Sequence, residues 1–105
     1  MRYRRSVLST NTGSVTFESF NRAGKQFVFT ELDVAITFCR ECLFARDTSK
    51  AARAMENARR AFRVALKKQR EVIFSERERN DLAERVSQLK TLIREVARRK
   101  IPHTQ

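Results

Sequence analysis

The sequence predicts an all-α protein, a three-helix up-down-up bundle preceded by a loosely structured segment. Two observations carry that expectation. Gly and Pro are nearly absent, with two glycines and one proline in 105 residues, and the second half is dominated by Ala, Arg, Glu and Leu, all good helix formers. From residue 31 onward the apolar positions also recur at threes and fours, the spacing of one helical face. At this length the chain is one domain with a modest core.

Residues 1–29 read as a basic and aromatic N-terminal segment, flexible or folded as a loose hairpin. Ser, Thr, Asn and both glycines concentrate there, "NTGS" has turn composition, and Val15 and Phe17 alternate with Thr16 and Glu18. Phe17, Phe20, Phe27 and Phe29 also fall in this stretch. That much aromatic surface exceeds what a disordered tail usually carries, so part of it is expected to pack.

The helical body is expected over residues 30–101, and its first helix over 31–46. Thr30 stands where an N-cap would, Asp33 where a capping box places its acid, and Phe29 and Val34 at the staple positions. Leu32, Val34, Ala35, Ile36, Phe38, Cys39, Cys42, Leu43 and Phe44 leave only a narrow polar strip. A helix apolar over most of its circumference is buried on several sides. It is therefore the central helix or an interface between copies.

"RDTSKA" closes that helix and opens a second over 49–73, with Asp47 or Thr48 as cap. Ala51, Ala54, Met55, Ala58, Phe62, Ala65 and Leu66 mark its apolar face. Alanines there allow two helix axes to approach closely. A third helix is expected over 76–100, announced by Ser75 and Glu78 in the S-x-x-E pattern and stopped by Pro102. Its Leu82, Val86, Leu89, Ile93 and Val96 alternate fours and threes. Because "VIFSER" holds neither Gly nor Pro, a second arrangement stays open, in which helices 2 and 3 are continuous and pair as a parallel dimeric coiled coil.

No residues pattern as a catalytic site, and the protein is expected not to be an enzyme. The single histidine, His103, stands beyond Pro102 and has no serine or cysteine partner in view. Cys39 and Cys42 have C-x-x-C spacing. A redox pair, however, draws its reactivity from a helix N-terminus, and these lie more than two turns inside a helix. Zinc needs four ligands, which the chain does not assemble. The pair is expected to pack as small hydrophobes, with no metal and no cofactor. The acidic cluster Glu76, Glu78, Asp81 and Glu84 suits the positive end of the third helix without any chemistry.

Charge is the one feature that points to partners. Twenty-three Lys and Arg against twelve Asp and Glu give a net charge of +11, which favours acidic partners. Residues 48–74 hold eight of the cations and two acids. Arg53, Arg60, Arg63, Lys67 and Arg70 form a stripe along the second helix, a candidate nucleic-acid-binding surface. Arg2, Arg4 and Arg5 would add a basic arm. Base-specific reading is not expected, because a helix-turn-helix usually turns tightly on glycine and this chain has none after Gly24. No stretch has the length of a membrane span and no apolar core follows the basic start, so the expected location is the cytoplasm, without membrane contact. No small-molecule substrate is evident.

"FTELDVAITFCRECLFARDTSKAARAMENARRAFRVALKK" resembles a group of short, largely helical, uncharacterised bacterial proteins with a "TSKAAR"-type junction and an "ENARRAF" segment, over approximately residues 29–98. The arrangement is also similar to helical pairs of tetratricopeptide-like and microtubule-interacting-and-transport-like bundles, although no internal repeat is present. The resemblance implies a fold and assigns no activity or site residue. The expected function is thus a non-enzymatic protein–protein interaction or adaptor module, working through a groove between helices, the N-terminal aromatics or self-association. The alternative is sequence-independent nucleic-acid binding through the basic face of helix 2.

Overall fold

A computed structural model describes residues 4–100, with side chains placed over 16–99. Three helices make up the described chain: α1 (Arg4–Phe44), α2 (Thr48–Gln69) and α3 (Glu76–Lys100). The all-α class and the up-down-up order are as the periodicity predicts. Pro102, His103 and Arg2 lie outside the described residues.

The first helix departs from expectation at its start. It runs unbroken through Thr30 and back to Arg4, so the predicted boundary at residues 29 and 30 falls within a helix and no hairpin forms among the described residues. The local signals at Thr30 lose to contacts from far along the chain, a familiar override of weak propensity. Phe29 meets Phe74 edge-on, ring centroids 6.0 Å apart at 86°, and the Arg85 guanidinium lies 4.8 Å over its ring. Asp33, read as a capping acid, instead accepts from Arg85 Nη1 at 3.0 Å through both carboxylate oxygens. Both residues tie α1 to α3.

The break between α2 and α3 settles the question of a continuous helix. Asn21 of α1 clamps the linker as a neighbouring strand would: its Oδ1 accepts from Ile73 N at 2.7 Å and its Nδ2 donates to Ile73 O at 3.0 Å. One turn later, a Cβ placed on Gly24 would stand 2.3 Å from Val72 Cγ1. Only glycine permits the linker to come so close. The linker's backbone groups therefore find partners outside a helix, and no glycine or proline is needed to interrupt it. Leu82, Leu89 and Val96, the would-be coiled-coil seam, are buried within the chain, where α3 packs on α1.

The caps predicted for α2 and α3 form. Asp47, in extended conformation, accepts from Ser49 N at 3.0 Å and starts α2. Ser75 Oγ accepts from Glu78 N at 3.1 Å while Glu78 Oε1 accepts from Ser75 N at 2.8 Å, the reciprocal pair of a capping box. Lys25 reaches from α1 to the same carboxylate at 3.1 Å. The Ser75 backbone N–H, then Lys25, hold the Glu78 carboxyl below the usual carboxylate range. At the other end of α2, Lys67 and Lys68 sit in the last turn, where cations suit the negative end of the helix dipole.

The two seams differ in character. α2 lies antiparallel to α1 and buries Ala51, Ala54, Met55, Ala58, Ala61 and Ala65. α3 runs parallel to α1 at a near-constant offset, as Lys25–Glu78 and Asp33–Arg85 mark. α1 contacts both helices extensively, while α2 and α3 touch each other only sparsely. α1 is thus a central rod about 60 Å long, flanked rather than enclosed. The molecule measures 73 × 27 × 17 Å. Its core is drawn on α1 from Val28, Leu32, Ala35, Ile36, Cys39 and Cys42. The expected central position of this helix is realised, with the N-terminal aromatics belonging to the rod itself.

Candidate functional site

The five cations named from the sequence stand together on one face. Arg53, Arg60, Arg63, Lys67 and Arg70 are all exposed, opposite the alanines that α2 buries against α1. With ~100° per residue, they fall within a third of the helix circumference over about 25 Å. Among the described residues none of the five forms an ion pair, and Arg60 alone has a side-chain contact, Nη1 to Asn57 Oδ1 at 3.5 Å. Lys68 is different, paired with Glu71 at 3.1 Å. Arg53, Arg60 and Lys67 are seven residues apart and make a straight column about 10.5 Å per step.

The structure adds an apolar feature that the sequence reading did not assemble. Because α1 continues through residue 30, Phe20, Phe27 and Val34 also lie seven residues apart on one face. Phe20 is 71% exposed and Phe27 40%. They line one side of a furrow between α1 and α2. Phe20, Ala23, Gly24, Phe27 and Lys68 enclose a depression of about 370 Å³, and Val34, Phe38, Val64 and Arg60 help to line a second of about 320 Å³. Glu31 is the acid in that second depression. Phe20, Phe27 and Val34 thus line the two depressions from α1, and Arg60, the middle residue of the basic column on α2, lines the second. The signal was present as the seven-residue spacing, and it was hidden by starting the helix at residue 31.

The cysteines occupy the opposite kind of environment. Cys39 and Cys42 are reduced thiols buried in the core. Burial, chiefly, then the neighbouring Cys42, pushes the Cys39 thiol up to about 11, against a lowering by Arg59. A thiolate is the nucleophile, so Cys39 is suppressed. Among the described residues no group of three or more His, Cys, Asp or Glu could hold a metal ion. At pH 8, a shift from 9.0 to about 11 lowers the thiolate fraction by roughly a hundredfold. Iodoacetamide should accordingly alkylate Cys39 at least a hundred times more slowly in the native protein than in urea, read by mass spectrometry. Equal rates would mean that the thiol is not held in the core. The same shift ties stability to alkaline pH: the folded state keeps its proton longer, so this contribution is full below pH 9 and is lost as pH rises towards 11.

Among the described residues no helix is long and apolar enough to cross a membrane. Comparison with known proteins finds no matching family model, no matching curated protein and no matching solved structure.

Proposed function

We propose that the chain is a non-enzymatic binding module that recruits a protein partner through the furrow between α1 and α2. The observation that carries this reading is the exposure of Phe20 and Phe27 along the furrow, on a helix that also leaves Phe17 and Phe44 bare. Aromatic rings left bare along a furrow gain most when a partner removes them from water. An adaptor needs no reactive group, and the suppressed Cys39 is consistent with that. A cytoplasmic setting belongs to the same proposal, since two reduced thiols in the core suit a reducing compartment.

The test compares the wild-type protein with Phe20→Ser/Phe27→Ser. Both positions are exposed, so circular dichroism should be unchanged. Proteins retained by the immobilised wild type should fall at least tenfold on the double variant. Equal retention would end the proposal.

A second reading, sequence-independent nucleic-acid binding, is favoured by the unpaired exposed column Arg53, Arg60 and Lys67. Fluorescent single- and double-stranded nucleic acid, titrated at low and physiological salt, separates the two. Phosphate tracking predicts steep loss of binding with salt and its removal in Arg60→Gln/Arg63→Gln/Lys67→Gln. Absence of binding at low salt would leave the protein-partner reading alone.

A further inference from the structure

The furrow has a repeat, and the repeat identifies what fits it. Phe20, Phe27 and Val34 on α1 and Arg53, Arg60 and Lys67 on α2 are two columns that share a seven-residue step, about 10.5 Å along each helix axis. That is the heptad length of an α-helix. Building on the binding function above, we infer that the furrow takes an amphipathic α-helix whose apolar seam meets Phe20, Phe27 and Val34 and whose acidic flank meets Arg60 and Lys67.

Charge selects this occupant over two others. A second copy of the chain also carries +11, and pairing the furrow with itself would bring like cation columns together, which is unfavourable. An acidic helix instead supplies counter-charges to guanidinium and ammonium groups that have none among the described residues. A single strand of nucleic acid would also satisfy the cations. However, ring-stacking platforms serve successive bases, whereas Phe20 and Phe27 stand two full helical turns apart with Ala23 and Gly24 between them. A continuous side-chain seam fills that interval, as in helix-in-groove recognition. Glu31, half-buried at the second depression, adds a specificity element: a Lys or Arg on the incoming helix would meet it and fix the register.

The probe is a fluorescein-labelled synthetic helix of about three heptads, with Leu at a and d and Glu on both flanks. Its counterpart carries Lys on the flanks. At physiological salt the acidic helix should bind the full-length protein at least tenfold more tightly than the basic one, by fluorescence anisotropy. Phe20→Ser/Phe27→Ser should weaken it at least tenfold. Arg60→Glu/Lys67→Glu should reverse the preference to the Lys-flanked helix, whereas Lys90→Gln/Arg94→Gln on α3 should change nothing.

Three results would overturn the inference. Binding of the acidic helix that ignores the phenylalanine substitutions would reduce the furrow to a charged surface. Wild-type dimers in light scattering that Phe20→Ser/Phe27→Ser dissolve would make a second copy the occupant. An oligothymidine that displaces the helix and itself loses affinity in that variant would make nucleic acid the occupant. Failure of the synthetic helix with partner retention still lost in Phe20→Ser/Phe27→Ser would overturn the helix class alone, leaving the binding function standing; loss of both effects would remove both.

Discussion

Leu89→Ala should cost about 2–5 kcal/mol and detach α3 from the rest of the molecule. Leu89 is fully buried and is the middle residue of the seam that Leu82, Leu89 and Val96 present to α1. Removing its side chain leaves a cavity that the flanking half-buried residues fill only partly. Because α2 and α3 hardly meet, α2 offers little to hold α3 in place. The remaining ties are Leu82 and Val96 at the two ends of the seam and surface pairs such as Arg85–Asp33, with side chains 31% and 61% exposed, and pairs of that exposure contribute less than about 1 kcal/mol. Hydrogen exchange should therefore show protection lost across α3 first, with the amides of α1 and α2 retained. If all three helices lose protection together, α3 is not an independently docked element.

Ala58→Leu attacks the other seam, and its expected cost is about 1–3 kcal/mol or more. Ala58 is completely buried at the centre of the alanine face of α2. Alanines there let the axes of α1 and α2 settle near the short end of the usual range, about 8 Å. Three extra carbons at that point find no void and must push the helices apart. The displacement also widens the furrow, so Phe20 and Phe27 should bind a partner less well although neither is altered. The control is Ala52→Leu on the exposed side of the same helix, where a change within about 0.5 kcal/mol is expected. Urea titrations of both variants decide the matter, and equal midpoints would show that the seam is loosely packed.

How much of this was legible in the sequence follows from how local each cause is. The start of α2 at Asp47 and the capping box at Ser75 and Glu78 involve residues two or three apart, so spacing alone reveals them. The nearly all-round apolarity of residues 32–44 likewise announces the central helix. The continuation of α1 through Thr30 and back to Asn21 was not legible, because what supports it is distant: Asn21 bonds to Ile73, Lys25 to Glu78, and Gly24 admits Val72. Ser, Thr and glycine in that segment argue locally for a turn, and only the folded partners reverse the balance. The basic stripe was legible since an α-helical period suffices to collect it. The furrow was not, as it requires both the extended α1 and the placement of α2 beside it.

The constant offset between α1 and α3 bears on the order in which the chain assembles. α1 and α2 are joined by a link of only three residues, Ala45–Asp47, so their antiparallel pairing closes a short loop and pays little chain entropy. The hydrogen-bonded ties from α1 to α3, 25 to 78 and 33 to 85, span more than 50 residues, and so does the bond from Asn21 to the linker at Ile73. Those contacts reward the chain only after a long loop has closed. The hairpin of α1 and α2 is thus the natural nucleus, and α3 settles last onto a rod already in place. During that interval the surface of α1 that α3 will cover, with Phe29 and Ile36, stands open to water. The slowest-formed seam is also the one through which the newly made chain is most exposed to aggregation.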